Sequence, residues 1–137
     1  MYDRWEYTIP ANTAEADAKK VRCPITKGFL RSLAVYFPPG CWNLARCRIN
    51  VGERPVAPRS PSNYIAADGI LVRIQYLNEP VQDDIPVLNW HVWNIDELHS
   101  HTIWMSAEWI SEEKPYEMKM MHQMDEFLAL MRGVFGV

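Results

Sequence analysis

The feature that most constrains this chain is a series of short apolar segments between Phe29 and Trp109, each closed by a turn signal. The segments are rich in β-branched and aromatic residues, which favour strands over helices. Strand-breaking residues follow them at short, regular intervals, for example at 38–40 (Pro-Pro-Gly) and 68–69 (Asp-Gly). This spacing predicts an antiparallel β-sandwich or barrel, and it gives a much weaker indication of any reaction.

Alternation of apolar and polar side chains locates the individual strands. Residues 44–51 alternate most cleanly. In residues 29–37, Phe29, Leu33, Val35 and Phe37 share one face, and Arg31 interrupts it, so the end of that face is expected at the rim. Residues 10–20 are expected to form a loop or one helical turn, and residues 78–86 an acidic loop. The predicted strands are 5–9, 22–25, 29–37, 44–51, 54–57, 70–77, 88–95 and 102–110.

The sequence pattern changes after Ser111. Serine followed by two glutamates is typical of a helix start, because acidic side chains suit the positive end of a helix dipole. Beyond it, Met118, Met121, Met124 and Met131 recur on one face at helical spacing. We therefore predict a β-sandwich domain at residues 1–111 and a C-terminal amphipathic helical extension at residues 112–137.

Composition argues against several classes of partner. The 137 residues suit a single domain, and a net charge of −3 provides no basic field for nucleic acid. No apolar run approaches the roughly 20 residues needed to cross a bilayer, and the first residues lack the apolar stretch of a signal peptide. We expect no nucleic-acid partner, no membrane partner and no export by that route. The three cysteines are expected to be reduced, partly buried thiols.

Candidate catalytic and metal-ligating groups are few. His91, His99 and His101 could together hold Zn²⁺, although histidines hydrogen-bonded at the rim are the favoured interpretation. The sequence contains no GxSxG elbow and no glycine-rich phosphate loop. The acidic pairs at 83–84 and 96–97 are interpreted as turn residues. We therefore expect no catalytic residue, no metal and no cofactor.

Several motifs carry a resemblance to a known class of protein. They are Thr-Lys-Gly at 26–28, Phe-Pro-Pro-Gly-Cys at 37–41, the strand at 44–52, the segment 63–69, the segment 89–96 and the start of the last strand at 101–103. Over residues 5–110 the chain resembles small jelly-roll virion proteins of tailed phages and related viruses. Such proteins sit on a capsid or at a head or tail vertex. The resemblance implies a jelly-roll β-sandwich with a structural role, and it brings no catalytic residues.

The expected function is a non-enzymatic virion component, assembled in the host cytoplasm. Its expected partners are copies of itself, with threefold symmetry favoured, and other virion proteins such as the major capsid protein. We interpret the many tryptophans as core and interface residues rather than a sugar platform. The alternatives are a carbohydrate- or receptor-binding β-sandwich module and, third, a metal-dependent cupin-like enzyme. The residues predicted to make contacts are Trp5, Tyr7, Trp42, Trp93, Met121, Phe127 and Met131.

Overall fold

The computed structural model describes residues 1–111, which fold into two antiparallel β-sheets around one buried core. Sheet 1 has the strand order β1-β10-β3-β7, with β8 also paired to β3, and sheet 2 has the order β2-β9-β4-β5, with β6 also paired to β4. The strands are β1 Tyr2–Ile9, β2 Lys19–Pro24, β3 Gly28–Phe37, β4 Ala45–Val51, β5 Arg54–Ala57, β6 Ile65–Ala66, β7 Ile70–Ile74, β8 Glu79–Val81, β9 Val87–Asn94 and β10 His101–Ser111.

The first strands of the described chain pair with its last strands, and later strands pair with partners progressively closer in sequence. β1 pairs with β10 and β2 with β9, while β3 pairs with β7 and β8, and β4 with β5 and β6. The chain therefore folds back on itself like one long hairpin whose successive pairs go alternately to sheet 1 and sheet 2. Two further ladders, β10 with β3 and β9 with β4, complete the sheets.

Side-chain alternation assembles the core, since successive residues of a strand point to opposite faces of its sheet. In β9 the inward residues are Leu88, Trp90 and Val92, and all three are fully buried. They lie opposite Val51, Ile49 and Cys47 of β4. In β10 the inward residues are Ile103, Met105, Ala107 and Trp109, all of them buried. The predicted alternation in these strands is confirmed, and with it the mainly β class of two antiparallel sheets.

A β-bulge at Arg31 interrupts the side-chain alternation of β3. The register places Ser32 opposite Glu108 and Leu30 opposite Trp109, so Arg31 is the extra residue of the bulged strand. The bulge reverses the alternation before Ser32. Leu30 is consequently fully buried and Phe29 is 42% exposed. Phe29 therefore faces away from Leu33, Val35 and Phe37, although it shares their parity in the sequence.

Smaller departures from the predicted elements occur in the loops. The loop expected at 78–86 contains β8, and the segment after residue 63 contains β6; both strands are too short for alternation to reveal. Residues 10–20 include a 3-10 helix at Glu15–Asp17 and the start of β2. The predicted C-terminal helix at 112–137 lies outside the described residues.

A cavity mutation tests the packing of the core. Ile49 is fully buried and lies opposite Trp90 and Ala57. Ile49→Ala should lower the free energy of unfolding by about 2–5 kcal/mol, because it removes buried methyl groups and leaves a cavity. Urea denaturation measures the change, with Gln82→Ala in an exposed loop as the control. A loss below about 1 kcal/mol for Ile49→Ala would contradict the burial described.

Candidate functional site

The loop between β3 and β4 holds Trp42 out into solvent. The Asp68 carboxylate accepts hydrogen bonds from the backbone N–H groups of Gly40 and Trp42, at 2.9 and 3.0 Å. Trp42 is 72% exposed, and both Trp42 and Asn43 adopt positive φ values of 49° and 61°. Non-glycine residues rarely adopt this conformation, and where they do it often marks a functional segment. The loop therefore presents a large apolar ring from a fixed backbone.

Trp42 belongs to a cluster of exposed apolar side chains at one end of the two sheets. The β3–β4 loop is joined to the β9–β10 loop by a hydrogen bond from the Ile95 N–H to the Leu44 carbonyl, at 3.0 Å. It is joined to the turn before β7 through Asp68. We call this surface the apolar end, defined by Trp42, Ile70, Ile95 and Leu98, which are 72%, 57%, 38% and 82% exposed. Ile70 is the first residue of β7, and Trp42, Ile95 and Leu98 lie in the two connected loops. Exposed apolar surface is typical of interaction sites when it is contiguous.

Trp5 and Tyr7 lie on β1, at the edge of sheet 1. Both side chains are half-buried and pack partly against the core. Within residues 1–111, β1 pairs with β10 alone, so eight residues of backbone form a free edge. Such an edge can pair with another chain.

Trp93, one of the predicted contact residues, is buried. It is 1% exposed, although it belongs to the outer face of sheet 2 rather than to the core. The Arg48 guanidinium lies 4.8 Å from the Trp93 ring centroid, and the Tyr64 ring packs edge-on at 6.0 Å. Arg48 is itself held by the Asn63 carbonyl and the Glu15 carboxylate. Trp93 therefore anchors the loop that covers it. Three further predicted contacts, Met121, Phe127 and Met131, lie outside the described residues.

The outer face of sheet 1 carries a groove that crosses the strands. Its middle row has small residues at the centre, Ser106 and Ala34, and arginines at both ends. Larger side chains stand in the rows on either side, so the middle row is the floor. The middle row runs from β1 to β7 through Arg4, Ser106, Ala34 and Arg73. The row on one side of it is Tyr2, Glu108 and Ser32, on β1, β10 and β3. The row on the other side is Glu6, Trp104, Tyr36 and Leu71.

Trp104 forms an aromatic wall of this groove, and the Tyr36 ring packs beside it. The Tyr36 and Trp104 rings are neighbours, with centroids 5.6 Å apart and planes inclined by 31°. The Arg4 guanidinium lies 5.0 Å from the Trp104 ring centroid. We call this cavity, of about 300 Å³, together with the adjoining cavity of about 420 Å³, the outer groove. The two cavities share Ser32, Gln75 and Glu108, so they are continuous.

The residues of the outer groove were not among the predicted contact residues. The outward direction of Trp104 was predictable from the sequence, because Trp104 alternates with the apolar residues Ile103 and Met105 along the strand. The sequence could not show that Ala34 and Ser106 lie side by side to form a floor. That arrangement depends on the register between β3 and β10.

The histidines considered as metal ligands are dispersed. His91 is on the outer face of sheet 2, where burial first, and then the charge of Lys20, lowers the pKa of its imidazole. His101 is on sheet 1, and its Nε2 lies 2.8 Å from Asp96 Oδ2. In the part of the chain that the structure describes, no group of three or more His, Cys, Asp or Glu side chains could hold a metal ion. Zinc binding by the three histidines is therefore not supported.

Asp96 organises the loop between β9 and β10. Its Oδ1 accepts hydrogen bonds from the backbone N–H groups of Leu98 and His99, at 2.9 and 3.2 Å. The N–H of Leu98 first, and then the His101 side chain, lower the pKa of Asp96 from its ordinary value of 3.8. The carboxylate is thus a structural acceptor that holds Leu98 at the apolar end.

The three cysteines are buried free thiols. Burial raises the pKa of Cys23 and of Cys47 to about 12. Burial first, and then the charge of Asp68, raises the pKa of Cys41. Because the thiolate is the reactive form, these shifts work against a cysteine nucleophile at neutral pH.

No protein-family model, curated protein or solved structure matches this chain. Among residues 1–111, no helix has the length and apolarity needed to span a membrane. Two exposed surfaces of the described residues have features typical of binding, namely the apolar end and the outer groove.

Replacing Asp96 tests its role through the pH dependence of stability. A carboxylate with a lowered pKa in the folded state stabilises the protein above its unfolded pKa, and that stabilisation is lost as the pH falls through the folded pKa. Asp96→Asn should therefore unfold at a lower temperature than wild type at neutral pH, and the difference should shrink as the pH drops below about 4. Thermal denaturation at several pH values measures it, with Asp84→Asn in an exposed loop as the control. A difference that is unchanged down to pH 3 would contradict this role.

The thiol pKa values predict that the folded protein resists alkylation. At neutral pH, a thiol reagent should modify none of the three cysteines in the native protein and all three in concentrated urea. Counting the modified thiols by mass spectrometry gives the result. Immediate reaction of one cysteine in the native protein would show that its thiol is accessible and ionised.

Proposed function

We propose that this chain is a non-enzymatic structural subunit of a virus particle, a jelly-roll β-sandwich that assembles with copies of itself and with other shell proteins. It acts by burying surface at subunit contacts. The observation that carries this proposal is the apolar end, where a preformed loop exposes Trp42 and is hydrogen-bonded to the two segments that carry three other exposed apolar side chains.

The strand order supports the jelly-roll part of the proposal. A jelly roll consists of two antiparallel sheets formed when one long hairpin of strands is rolled up. Successive strand pairs, counted from the open ends of the hairpin to its tip, then belong alternately to the two sheets. The pairs β1–β10 and β2–β9 follow that rule, as do the pairs of β3 with β7 and of β4 with β5. Viral capsid proteins and lectins are among the proteins built on this architecture.

The apolar end supports assembly on energetic grounds. An exposed tryptophan is the residue type most often found as an interface hot spot, where its truncation costs about 2 kcal/mol or more. Trp42 meets the condition for tight binding, since Asp68 fixes its loop before any partner arrives. Ile70, Ile95 and Leu98, on the segments hydrogen-bonded to this loop, add further exposed apolar surface.

The sequence resemblance and this surface coincide. The segment 37–41, which carries part of the resemblance to phage virion proteins, ends β3 and forms the loop that presents Trp42. Within residues 1–111, β1 pairs with β10 alone, and its other edge, with the half-buried Trp5 and Tyr7, offers a second contact at the side of the molecule. Two separate contact surfaces suit a subunit that touches both its own copies and a shell protein.

Molecular mass in solution tests the assembly proposal. Wild type should sediment as a defined oligomer at micromolar concentration. Trp42→Ala should shift the equilibrium toward monomer, with an association constant reduced about 30-fold or more, since the lost ring corresponds to about 2 kcal/mol. Tyr76→Ala is the matched control, because Tyr76 is 97% exposed but lies away from the apolar end.

Two outcomes would contradict assembly through the apolar end. One is a wild-type protein that remains monomeric at high concentration, both alone and with particles. The other is a Trp42→Ala variant that keeps the wild-type mass while its thermal unfolding shows an intact fold. The genes flanking this one test the particle assignment separately: we expect capsid, portal or tail genes, and a purely metabolic neighbourhood would contradict it.

A further inference from the structure

We propose that the outer groove binds a short acidic oligosaccharide, with a sugar ring packed against the Trp104 wall and a sugar carboxylate paired with Arg73. This site lies on a sheet face, apart from the loops of the apolar end. The inference therefore goes beyond assembly and does not depend on it.

The shape of the groove suits a chain of rings. Its floor is formed by Ser106 and Ala34, directly opposite each other on β10 and β3. Strands lie about 4.8 Å apart, so the row from Arg4 to Arg73 spans about 14 Å across four strands. The adjoining cavity continues the groove past Ser32 to Gln75 and Tyr76. This length favours an oligosaccharide over a single small molecule.

The aromatic wall provides the apolar contact that sugars need. The C–H groups of a pyranose face pack on aromatic rings, and such rings bury large areas at little entropic cost. Trp104 lines the groove and is half-buried, so the outer part of its ring remains accessible. The Tyr36 ring and the Arg4 guanidinium pack against Trp104 and hold it in place. The wall is thus formed before a ligand binds.

The polar groups around the floor match hydroxyl and carboxylate groups. Glu108 lines both cavities and can accept hydrogen bonds from sugar hydroxyls, and Gln75 can donate and accept. Arg31 and Arg73 also line the groove, and guanidinium groups bind carboxylates in a bidentate manner. Two lining arginines against one lining glutamate leave an excess of positive charge. This excess favours a uronate or another acidic sugar over a neutral one.

The same residues argue against a second copy of the chain as the occupant. The cores of protein interfaces are depleted of charged residues. Here the groove is lined by Arg31, Arg73 and Glu108, and its floor is recessed rather than flat. Tyr76 at the rim has a positive φ of 61° and is 97% exposed, so a strained backbone holds another ring where a ligand passes.

Binding to a panel of immobilised neutral and acidic glycans, followed by titration of the best ligand in solution, tests this inference. We expect acidic oligosaccharides to bind and their neutral counterparts to bind at least about tenfold more weakly. Affinity should fall with added salt, because partly exposed ion pairs are screened. Absence of binding across the panel, or equal binding of neutral and acidic forms, would overturn the proposal.

Two variants locate the site. Trp104→Ala should reduce affinity about tenfold or more by removing the stacking surface. Ala34→Tyr should abolish binding by filling the floor, and it should fold, since a β-sheet surface position tolerates an aromatic residue. Wild-type affinity in Ala34→Tyr would rule out this groove as the binding site.

Trp42→Ala separates this inference from the assembly proposal. It should leave glycan affinity unchanged, since Trp42 lies outside the groove. If Ala34→Tyr instead lowers the oligomeric mass and no glycan binds, the groove is a contact between copies and the inference is wrong. Loss of oligomerisation in Trp42→Ala with intact glycan binding would support both proposals independently.

Discussion

The structure depends on the placement of β10 between β1 and β3. This strand carries Met105 inward opposite both Trp5 and Val35, and it joins the beginning of the described chain to its middle. Without that ladder, β1 would have no partner among the described residues, and Ile103, Met105 and Ala107 would lose their place in the core. One strand therefore closes sheet 1 and buries the side chains that hold it against sheet 2.

The same register produces the two faces on which the functional proposals rest. Because Met105 points inward, Trp104 and Ser106 point outward, and they meet Tyr36 and Ala34 to form the outer groove. The bulge at Arg31 leaves this outer face unchanged up to Ser32 and reverses the alternation before it. At the other end of the β1–β10 ladder, Ile9 pairs with His101, the residue that follows the β9–β10 loop of the apolar end. Groove and apolar end are thus separate consequences of one strand pairing.

Much of the fold was predictable from the sequence, since alternation in residues 44–51 and 88–95 reports directly on which side chains are buried. The bulge was not, because Arg31 interrupts a pattern without showing how many residues oppose it. Burial of Trp93 was not predictable either, because it depends on Arg48 and Tyr64 from distant segments. Trp42 could be proposed as a contact residue from its position after a Pro-Pro-Gly turn. The groove could not, because its floor requires knowledge of register.

The central claim is therefore the register of β1 against β10, and an engineered disulfide tests it most directly. Thr8 and Thr102 lie directly opposite each other, with their hydroxyl oxygens 2.8 Å apart. Opposed residues have Cα atoms about 4.5–5.5 Å apart, which a disulfide can bridge, whereas a diagonal pair two residues out of register lies about 7–8 Å apart. Peptide mapping of the oxidised Thr8→Cys/Thr102→Cys protein should find the bond between these two positions. Absence of that bond, or equally ready bonding in Thr8→Cys/Trp104→Cys, would contradict the account.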